Sequence, residues 1–257
     1  MLAQADRPAH IQTLISGVDR YNPSNVHLLE DYLQQQLAND QYDLLANLAL
    51  LKLYQFNPAI LSPSASLSIL FQTLSHAPFA PDFSLASSLL SDSFVTGAAL
   101  PPALPDSDDD DDELAKPAEP HGEKETAQRL AKLSALLHAR QFRAFWLLAR
   151  AGDEDKKASE GVAALRKGAK GWDARVQKSI ADEVERSFGS VRRETVEVFL
   201  GIEDKAQLEA LAKERQWTVR EQDVQIPQNE SNTPKASVTH ERMEIEQLAR
   251  LLGRSQA

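Results

Sequence analysis

The fold is organised around YDLLANLALLKLYQFNP, from Tyr42 to Pro58. Its leucines recur at the spacing of one helix face, at Leu44, Leu48 and Leu51, and the apolar residues that follow them widen that face. The pattern predicts a central helix that needs packing partners on more than one side.

The same stretch offers no acid–base or nucleophilic chemistry. Its charged groups are Asp43, placed where a helix N-terminus favours an anion, and Lys52 inside the helix. Asn57-Pro58 ends the pattern, because the residue before a proline avoids the helical conformation. The stretch is therefore interpreted as a buried packing helix.

The composition favours helices and excludes several classes of protein. The 257-residue chain is 42% hydrophobic but only 6% aromatic, and it has no cysteine, which rules out disulfide and thiolate chemistry. No apolar run approaches the roughly 20 residues of a membrane span, and the N-terminus has no hydrophobic signal core. We therefore expect a mainly α, soluble protein of the cytoplasm without a membrane partner.

The formal net charge of −10 is concentrated in one run. Asp106, Asp108 to Asp112 and Glu113 supply seven negative charges, so the rest of the chain is nearly balanced. Net charge thus neither supports nor forbids contact with a phosphate backbone.

Residues 1–96 predict the first part of a HEAT-like helical-repeat domain, in which each helical hairpin covers the apolar face of its neighbour. Asn22-Pro23, Ser62-Pro63 and Asp82 are the predicted helix starts. The predicted inward positions outside the central helix are Ile11, Leu14, Ile15, Val18, Val26, Leu29, Leu33, Leu37, Leu67, Leu70, Phe71, Leu74, Phe83, Leu85, Leu89 and Leu90.

Residues 97–123 break this pattern, because they combine prolines with the acidic run. They predict a disordered insertion, either a solvated tether or a docking segment for a basic partner. Residues 124–171 then predict the second part of the helical-repeat domain. Its inward positions are Ala127, Leu130, Leu133, Leu137, Phe142, Phe145, Trp146, Ala149, Val162 and Leu165.

Residues 172–227 predict three helices followed by a β-hairpin, which is the order of a winged-helix domain. The hairpin strands are Trp217 to Val219 and Val224 to Ile226. The third helix, within residues 203–215, carries no surplus of cations, which disfavours reading of a DNA groove and favours contact with protein. The helical apolar positions are Val176, Ile180, Val184, Phe188, Val196, Phe199, Leu200, Leu208, Leu211 and Ala212.

Two segments are candidate partner-binding sites. An unpaired strand edge from Val224 to Ile226 can add a strand to the sheet of a partner. The C-terminal tail, residues 228–257, predicts a helix whose apolar face can join a partner helix. The partner-binding residues are therefore Val224, Ile226, Met243, Leu248, Leu251 and Leu252.

A small basic loop offers a different kind of site. Arg166, Lys167 and Lys170 lie beside Trp172, a combination that can meet RNA phosphate with a stacking aromatic. An ordinary helix C-terminus, with cations near its negative end and glycine beyond, explains the same residues. Both interpretations remain open at the level of sequence.

Catalytic and cofactor motifs are missing from the sequence. The six histidines are scattered without a metal-ligand spacing, and there is no glycine-rich phosphate loop or nucleophile elbow. We therefore expect no catalytic residue, no metal and no cofactor, and no enzymatic activity.

Four segments, in this order, resemble the subunit K family of eukaryotic translation initiation factor 3. They are LISGVDRYNP (Leu14 to Pro23), the stretch from Tyr42 to Pro58, Asp82-Phe83, and FRAFW (Phe142 to Trp146). The resemblance covers most of residues 7–95 and 125–226. It implies a HEAT-like helical-repeat domain followed by a winged helix, the combination of the PCI-type scaffold subunits of the proteasome lid, the signalosome and this initiation factor.

The resemblance further implies a non-enzymatic subunit of the factor that binds the small ribosomal subunit and helps to assemble the initiation complex. It implies subunit L as the nearest partner. There are two alternative functions. One is an RNA-binding winged-helix module that touches ribosomal RNA, and the other is a PCI-type scaffold of a sister complex, the proteasome lid or the signalosome.

Overall fold

The computed structural model describes residues 7–91, 94, 122–150, 156–169 and 171–233. This part of the chain is mainly helical and includes one small antiparallel sheet, which confirms the predicted fold class. The predictions for most of the insertion at 97–123 and for the tail helix lie outside the described residues. No helix in the described ranges has the length and apolar character needed to cross a membrane.

Between residues 7 and 91 the chain forms short helices joined by tight connections. The α-helices are α1 (Ala9–Ser16), α2 (Val26–Ala38), α3 (Leu44–Phe56), α4 (Pro63–His76) and α5 (Asp82–Ser87). Short 3-10 helices occupy Val18–Tyr21, Pro23–Asn25 and Pro58–Ile60.

The central helix α3 forms as the sequence predicts. Asp43 is its N-cap, and the Asp43 side chain accepts a hydrogen bond from the Ala46 backbone N–H at 3.3 Å. Helix α3 contacts α1, α2, α4 and α5, so its apolar face does have neighbours on several sides. Leu51 is fully buried, whereas Leu45 is 61% exposed and marks the outer surface.

Besides Leu45, which the predicted broad face of α3 included, three other residues predicted to face the core are exposed. Val18 is 84% exposed because α1 ends at Ser16 and Val18 begins a 3-10 helix. Leu85, in the short α5, and Phe188, one residue past the end of its helix, are also exposed. For Val18 and Phe188 the helical spacing has already ended, so a stripe extrapolated past the last turn no longer predicts burial. Leu85 lies within α5, but the buried face of that helix consists of Asp82, Phe83 and Ala86.

The predicted helix starts have different outcomes. Ser62-Pro63 behaves as expected, with the Ser62 hydroxyl accepting from the Ala65 N–H at 3.4 Å. Asn22 caps a 3-10 helix rather than α2. Asp82 is the first residue of α5 and not its cap, and its carboxylate accepts a hydrogen bond from the Tyr42 hydroxyl at 2.8 Å.

A row of buried amide side chains joins α2, α3 and α4. Gln36 Nε2 donates to Asn47 Oδ1 at 2.9 Å, and Asn47 Nδ2 donates to Gln72 Oε1 at 3.0 Å. Gln36 Oε1 also accepts from the Asp43 backbone N–H, and Gln72 Nε2 donates to the Gln41 carbonyl. The three amides are at most 3% exposed, so these hydrogen bonds satisfy polar groups inside the core.

Three more helices continue the stack: α6 (Glu123–His138), α7 (Phe142–Arg150) and α8 (Lys156–Gly168). Helix α6 packs against α4, α7 and α8. Its contact with α8 is close at Gly161, where an added Cβ would lie 2.1 Å from Thr126 Oγ1. Only glycine permits this approach of the two helices.

The last unit contains the sheet. It runs α9 (Trp172–Ser187), β1 (Ser190–Arg192), α10 (Arg193–Leu200), α11 (Lys205–Glu214), β2 (Thr218–Val219) and β3 (Asp223–Gln225). The predicted hairpin forms, with Thr218 opposite Gln225 and Val219 opposite Val224. Strand β1, which sequence analysis missed, pairs with β3 through Val191 and Val224. This order of helices and strands is that of a winged helix.

The helical stack and the winged-helix unit share one core. Trp172, the first residue of α9, packs its ring 5.5 Å from that of Phe71 and 5.9 Å from that of Phe145, measured between ring centroids. Beside these rings, Arg175 Nε donates to Ser75 Oγ at 2.8 Å, and Arg175 pairs with the Asp40 carboxylate. The junction is therefore both apolar and ionic.

Candidate interaction surfaces

The strand expected to be an open edge is in fact the centre of the sheet. The strand order is β1-β3-β2, so β3 is paired on both sides, and the expectation of an unpaired edge from Val224 to Ile226 is wrong. Val224 is fully buried and Ile226 is 5% exposed. Neither side chain can contact a partner directly, and both stabilise the winged-helix core.

The free edges belong to β1 and β2. The Arg220 N–H donates to the Asp223 carbonyl at 2.8 Å. Because hydrogen-bonded and non-hydrogen-bonded pairs alternate along an antiparallel ladder, the next pair, Val219 and Val224, is not hydrogen-bonded. The Val219 N–H therefore points away from β3 and towards the open side of β2.

The remaining predicted partner-binding residues belong to the C-terminal tail. Met243, Leu248, Leu251 and Leu252 lie outside the described residues. The last described segment is held against α9, where Asn229 Nδ2 donates to the Glu185 carbonyl at 2.8 Å. The tail helix stays a prediction from sequence.

Arg166, the first residue of the basic loop, is engaged within the chain. Its Nη2 donates to both carboxylate oxygens of Asp173, at 2.8 and 3.0 Å, and its Nη1 donates to the Ala149 carbonyl. Its guanidinium also lies 5.0 Å from the centroid of the Trp172 ring. Contact with an RNA phosphate would have to compete with this bidentate ion pair.

The stacking aromatic predicted for RNA is not accessible. Trp172 is 2% exposed and lies inside the aromatic cluster at the junction, so the expectation that it stacks on a base is wrong. Lys167 is exposed, and Lys170 lies outside the described residues. The loop thus presents one described lysine rather than a basic surface with an aromatic platform.

Helix α11 has the charge balance that its sequence predicted. It carries Lys205 and Lys213 against Glu209 and Glu214, all exposed. A helix that reads a nucleic-acid groove presents an excess of cations. Helix α11 therefore offers no excess of cations to a nucleic-acid groove.

The buried ionisable groups serve structural roles. Arg7 Nη2 donates to Asp43 Oδ1 at 2.7 Å, and the Tyr32 hydroxyl donates to Asp43 Oδ2 at 3.3 Å. Burial, and next the Asp43 charge, raises the pKa of Tyr32 to about 12. Within the described residues, no group of histidine and carboxylate side chains could hold a metal ion.

A wide, open cleft of about 1260 Å³ lies between α8, α9 and α11. Its ionisable residues are engaged elsewhere or face solvent: Arg166 pairs with Asp173, Asp204 caps α11, and the Glu203 side chain is 95% exposed. Separate ion pairs and caps do not converge on a common point as a catalytic site requires.

A narrower groove of about 560 Å³ lies between α7 and α10. Trp146 and Ile202 line it and are almost completely buried, whereas Leu147 on α7 and Val198 on α10 are 63% and 43% exposed. Exposed aliphatic side chains beside a concave surface are typical of contact sites. We call this feature the α7–α10 groove.

The α7–α10 groove was not predicted from the sequence, although the sequence contains one signal for it. The inward stripe of FRAFWLLAR is Phe142, Phe145, Trp146 and Ala149, which leaves Leu147 apolar on the opposite side. Val198 is likewise apolar and off the inward stripe of α10. Apolar residues that the core stripe does not explain are the trace of such a surface in a sequence.

The fold and its surfaces define the class of protein. A stack of helices shares its core with a winged-helix unit, and the described residues offer contact surfaces rather than a converging set of reactive groups. This is the architecture of a helical protein with a winged-helix module.

Comparison with known proteins gives the family. Residues 65–238 match the model of the CSN8/PSMD8/EIF3K family. The chain is 34% identical to eukaryotic translation initiation factor 3 subunit K of Mycosarcoma maydis, over 100% of this chain and 94% of the relative. It is 32% identical to the subunit K of Botryotinia fuckeliana and 34% identical to that of Emericella nidulans, over 97% and 96% of this chain and 94% of each relative. The chain therefore belongs to the CSN8/PSMD8/EIF3K family, and the resemblance seen in the sequence is confirmed.

Proposed function

We propose that this chain is a non-catalytic subunit of eukaryotic translation initiation factor 3, which acts in the cytoplasm and supports assembly of the factor on the small ribosomal subunit. The observation that carries the proposal is its identity of 32–34% to subunit K proteins over 96–100% of its length. Similarity along the whole chain supports a shared architecture rather than one shared domain.

In the proposed mechanism the helical stack is a rigid scaffold and the winged-helix unit binds neighbouring subunits. Subunit L is the nearest proposed partner. The shared core around Trp172 and the ion pair between Arg175 and Asp40 support a rigid connection between the two. The open side of β2 can add a strand of a partner. The apolar face of the predicted tail helix, with Met243, Leu248, Leu251 and Leu252, is the second proposed contact.

Affinity capture of the tagged full-length chain from eukaryotic cells tests the proposal. We expect the other subunits of initiation factor 3, including subunit L, to co-purify in comparable amounts. The family description also names CSN8 and PSMD8, so a scaffold of the signalosome or the proteasome lid is the second candidate. Recovery of either of those complexes in place of the initiation factor would contradict the proposal.

Salt dependence separates a subunit contact from direct RNA binding. A contact through several phosphates weakens steeply between about 50 and 200 mM salt, because bound counterions are released. We expect co-purification with the other subunits to change little over this range. A steep loss, together with loss after nuclease treatment, would favour the RNA-binding alternative.

A further inference from the structure

The floor of the α7–α10 groove is fixed before any partner arrives. Trp146 Nε1 donates to the Phe199 carbonyl at 2.9 Å, which locks the orientation of the indole. Gly201 has a φ of +60°, and an added Cβ there would lie 2.6 Å from the indole. The bare glycine lets the ring lie against the backbone that follows α10, so the groove is preformed.

Each rim of the groove carries one exposed aliphatic side chain, Leu147 on α7 and Val198 on α10. Leu147 lies four residues after Arg143 on α7, and Val198 lies four residues after Glu194 on α10. Residues four apart share one helix face, so each helix presents an exposed aliphatic side chain next to a charged one. Helix α7 has nine residues and is about 13 Å long, enough to support two to three turns of a partner helix.

The two walls carry opposite charges. The α7 wall has Arg143 and Arg150, and the α10 side has Glu194 and, beyond the helix, Glu203. Arg150 and Glu203 approach each other to 4.0 Å and close one end of the groove. Arg143 and Glu194 have no hydrogen-bond or ion-pair partner among the described residues, so their charges are free to meet those of a ligand.

We propose that the α7–α10 groove receives an amphipathic helix of another subunit of the assembly. Apolar side chains at i and i+4 of that helix lie between Leu147 and Val198. A carboxylate on one flank pairs with Arg143, and a cation on the other flank pairs with Glu194. The lining residues mix two arginines, Arg143 and Arg150, with three carboxylates, and such a surface lacks the excess of cations that a phosphate-binding groove presents, which disfavours RNA as the occupant.

This inference rests on the proposed function, because it needs an assembly from which the helix comes. The test places a photo-crosslinking residue, p-benzoylphenylalanine, at Leu147 in the tagged full-length chain, and the assembly is captured and irradiated. Leu45 on α3 is the matched control, since it is an exposed leucine on another helix, at 61% against 63% for Leu147. We expect Leu147 to crosslink at least tenfold more than Leu45 to one peptide of another subunit, with apolar residues at helical spacing.

A charge swap then tests the proposed orientation. Arg143→Glu should reduce the Leu147 crosslink at least fivefold, and replacing the acidic residue of the crosslinked peptide by lysine should restore it. Because Arg143 is exposed, the variant should keep the far-ultraviolet circular dichroism of the unaltered chain.

The outcomes separate this inference from the proposed function. If subunits of initiation factor 3 co-purify but Leu147 crosslinks no more than Leu45, the groove inference is overturned and the proposed function stands. Crosslinks to RNA, to a second copy or to another part of the same chain also overturn it. If no subunit co-purifies, both fall.

Discussion

Among single residues, three buried amides restrict the relative positions of α2, α3 and α4 more than leucine contacts do. Apolar contact is non-directional, whereas a hydrogen bond requires a narrow range of distance and angle. Gln36, Asn47 and Gln72 form one connected row across three helices. Sequence analysis did not identify this row, because glutamine and asparagine inside an amphipathic pattern usually face solvent.

Replacing Asn47 tests this row. Asn47→Ala leaves Gln36 Nε2 and Gln72 Oε1 buried without partners, so we expect the free energy of unfolding to fall by about 1–3 kcal/mol. Gln55→Ala is the control, since Gln55 is an exposed amide on the same helix. Urea titration followed by circular dichroism measures both. Equal, small effects of the two substitutions would show that the row does not stabilise the fold.

His76 gives the fold a dependence on pH. Burial, and next the Arg175 charge, lowers the pKa of His76 to about 4 from 6.5, against the opposing effect of Asp40, and the ring stacks on Tyr42. The unfolded chain therefore binds more protons than the folded one between about pH 6.5 and 4. The free energy of unfolding should fall by up to about 1.4 kcal/mol for each pH unit as the pH decreases through this window.

Two variants test whether His76 causes this dependence of stability on pH. Relative to the unaltered chain, His76→Gln should flatten the fall in stability between pH 6.5 and 4, whereas His138→Gln, at an exposed position, should leave it unchanged. Thermal midpoints at half-unit steps of pH provide the data. Parallel curves for all three proteins would refute the assignment.

At the scale of elements, the sheet shows what local patterns leave out. The hairpin of β2 and β3 was predictable because its strands lie close in sequence and alternate in character. Strand β1 has only three residues, and its partner β3 lies more than 30 residues further along the chain, so no local sequence pattern predicts β1. Because β1 pairs with β3, β3 is the central strand of the sheet and not an edge strand, so the predicted binding edge was wrong.

Two proline substitutions test the order of the strands. The Ile226 N–H donates to the Gly189 carbonyl and the Arg193 N–H to the Gln222 carbonyl, so the Val191–Val224 pair between them is hydrogen-bonded. Val224→Pro removes that bond and should cost about 1–3 kcal/mol for the unpaired Val191 carbonyl, with lost packing in addition.

Val219→Pro is the matched change on an outer strand. The Val219 N–H points to the open side, where proline is tolerated, so the loss of stability should be clearly smaller. Thermal unfolding of both variants decides the matter. If Val219→Pro is as damaging as Val224→Pro, the assigned strand order is contradicted.

The approach of α6 and α8 predicts opposite effects for the same change at two glycines. Gly161→Ala forces a Cβ against Thr126 Oγ1, whose hydroxyl already donates to the Gly122 carbonyl at 2.6 Å. We expect a loss of about 1–3 kcal/mol from overpacking.

Gly168, at the end of the same helix, has open space where a Cβ would be added. Gly168→Ala should therefore leave stability unchanged or raise it by up to about 1 kcal/mol, because alanine favours a helix. Differential scanning calorimetry compares the pair. A destabilising Gly168→Ala together with a neutral Gly161→Ala would contradict the described packing.

At the scale of the whole molecule, the sequence predicts the class and order of elements better than their surfaces. Leucine spacing and the caps at Asp43 and Ser62 were sufficient for α3 and α4, since local chemistry determines them. The burial of Trp172 depends on Phe71, which lies about 100 positions away in the sequence. The orientation of Arg166 depends on its ion pair with Asp173. The contact of Trp172 with Phe71 forms only when the stack and the winged-helix unit pack together, whereas Arg166 meets Asp173 across the short connection between α8 and α9.

We propose that the whole chain works as a docking subunit within initiation factor 3. Sedimentation of the tagged chain through a sucrose gradient of a cell extract tests it most directly. We expect the chain to sediment with the other subunits of the factor and in part with the small ribosomal subunit. Sedimentation as a free 28.4 kDa protein, or with the proteasome lid or the signalosome, would contradict it.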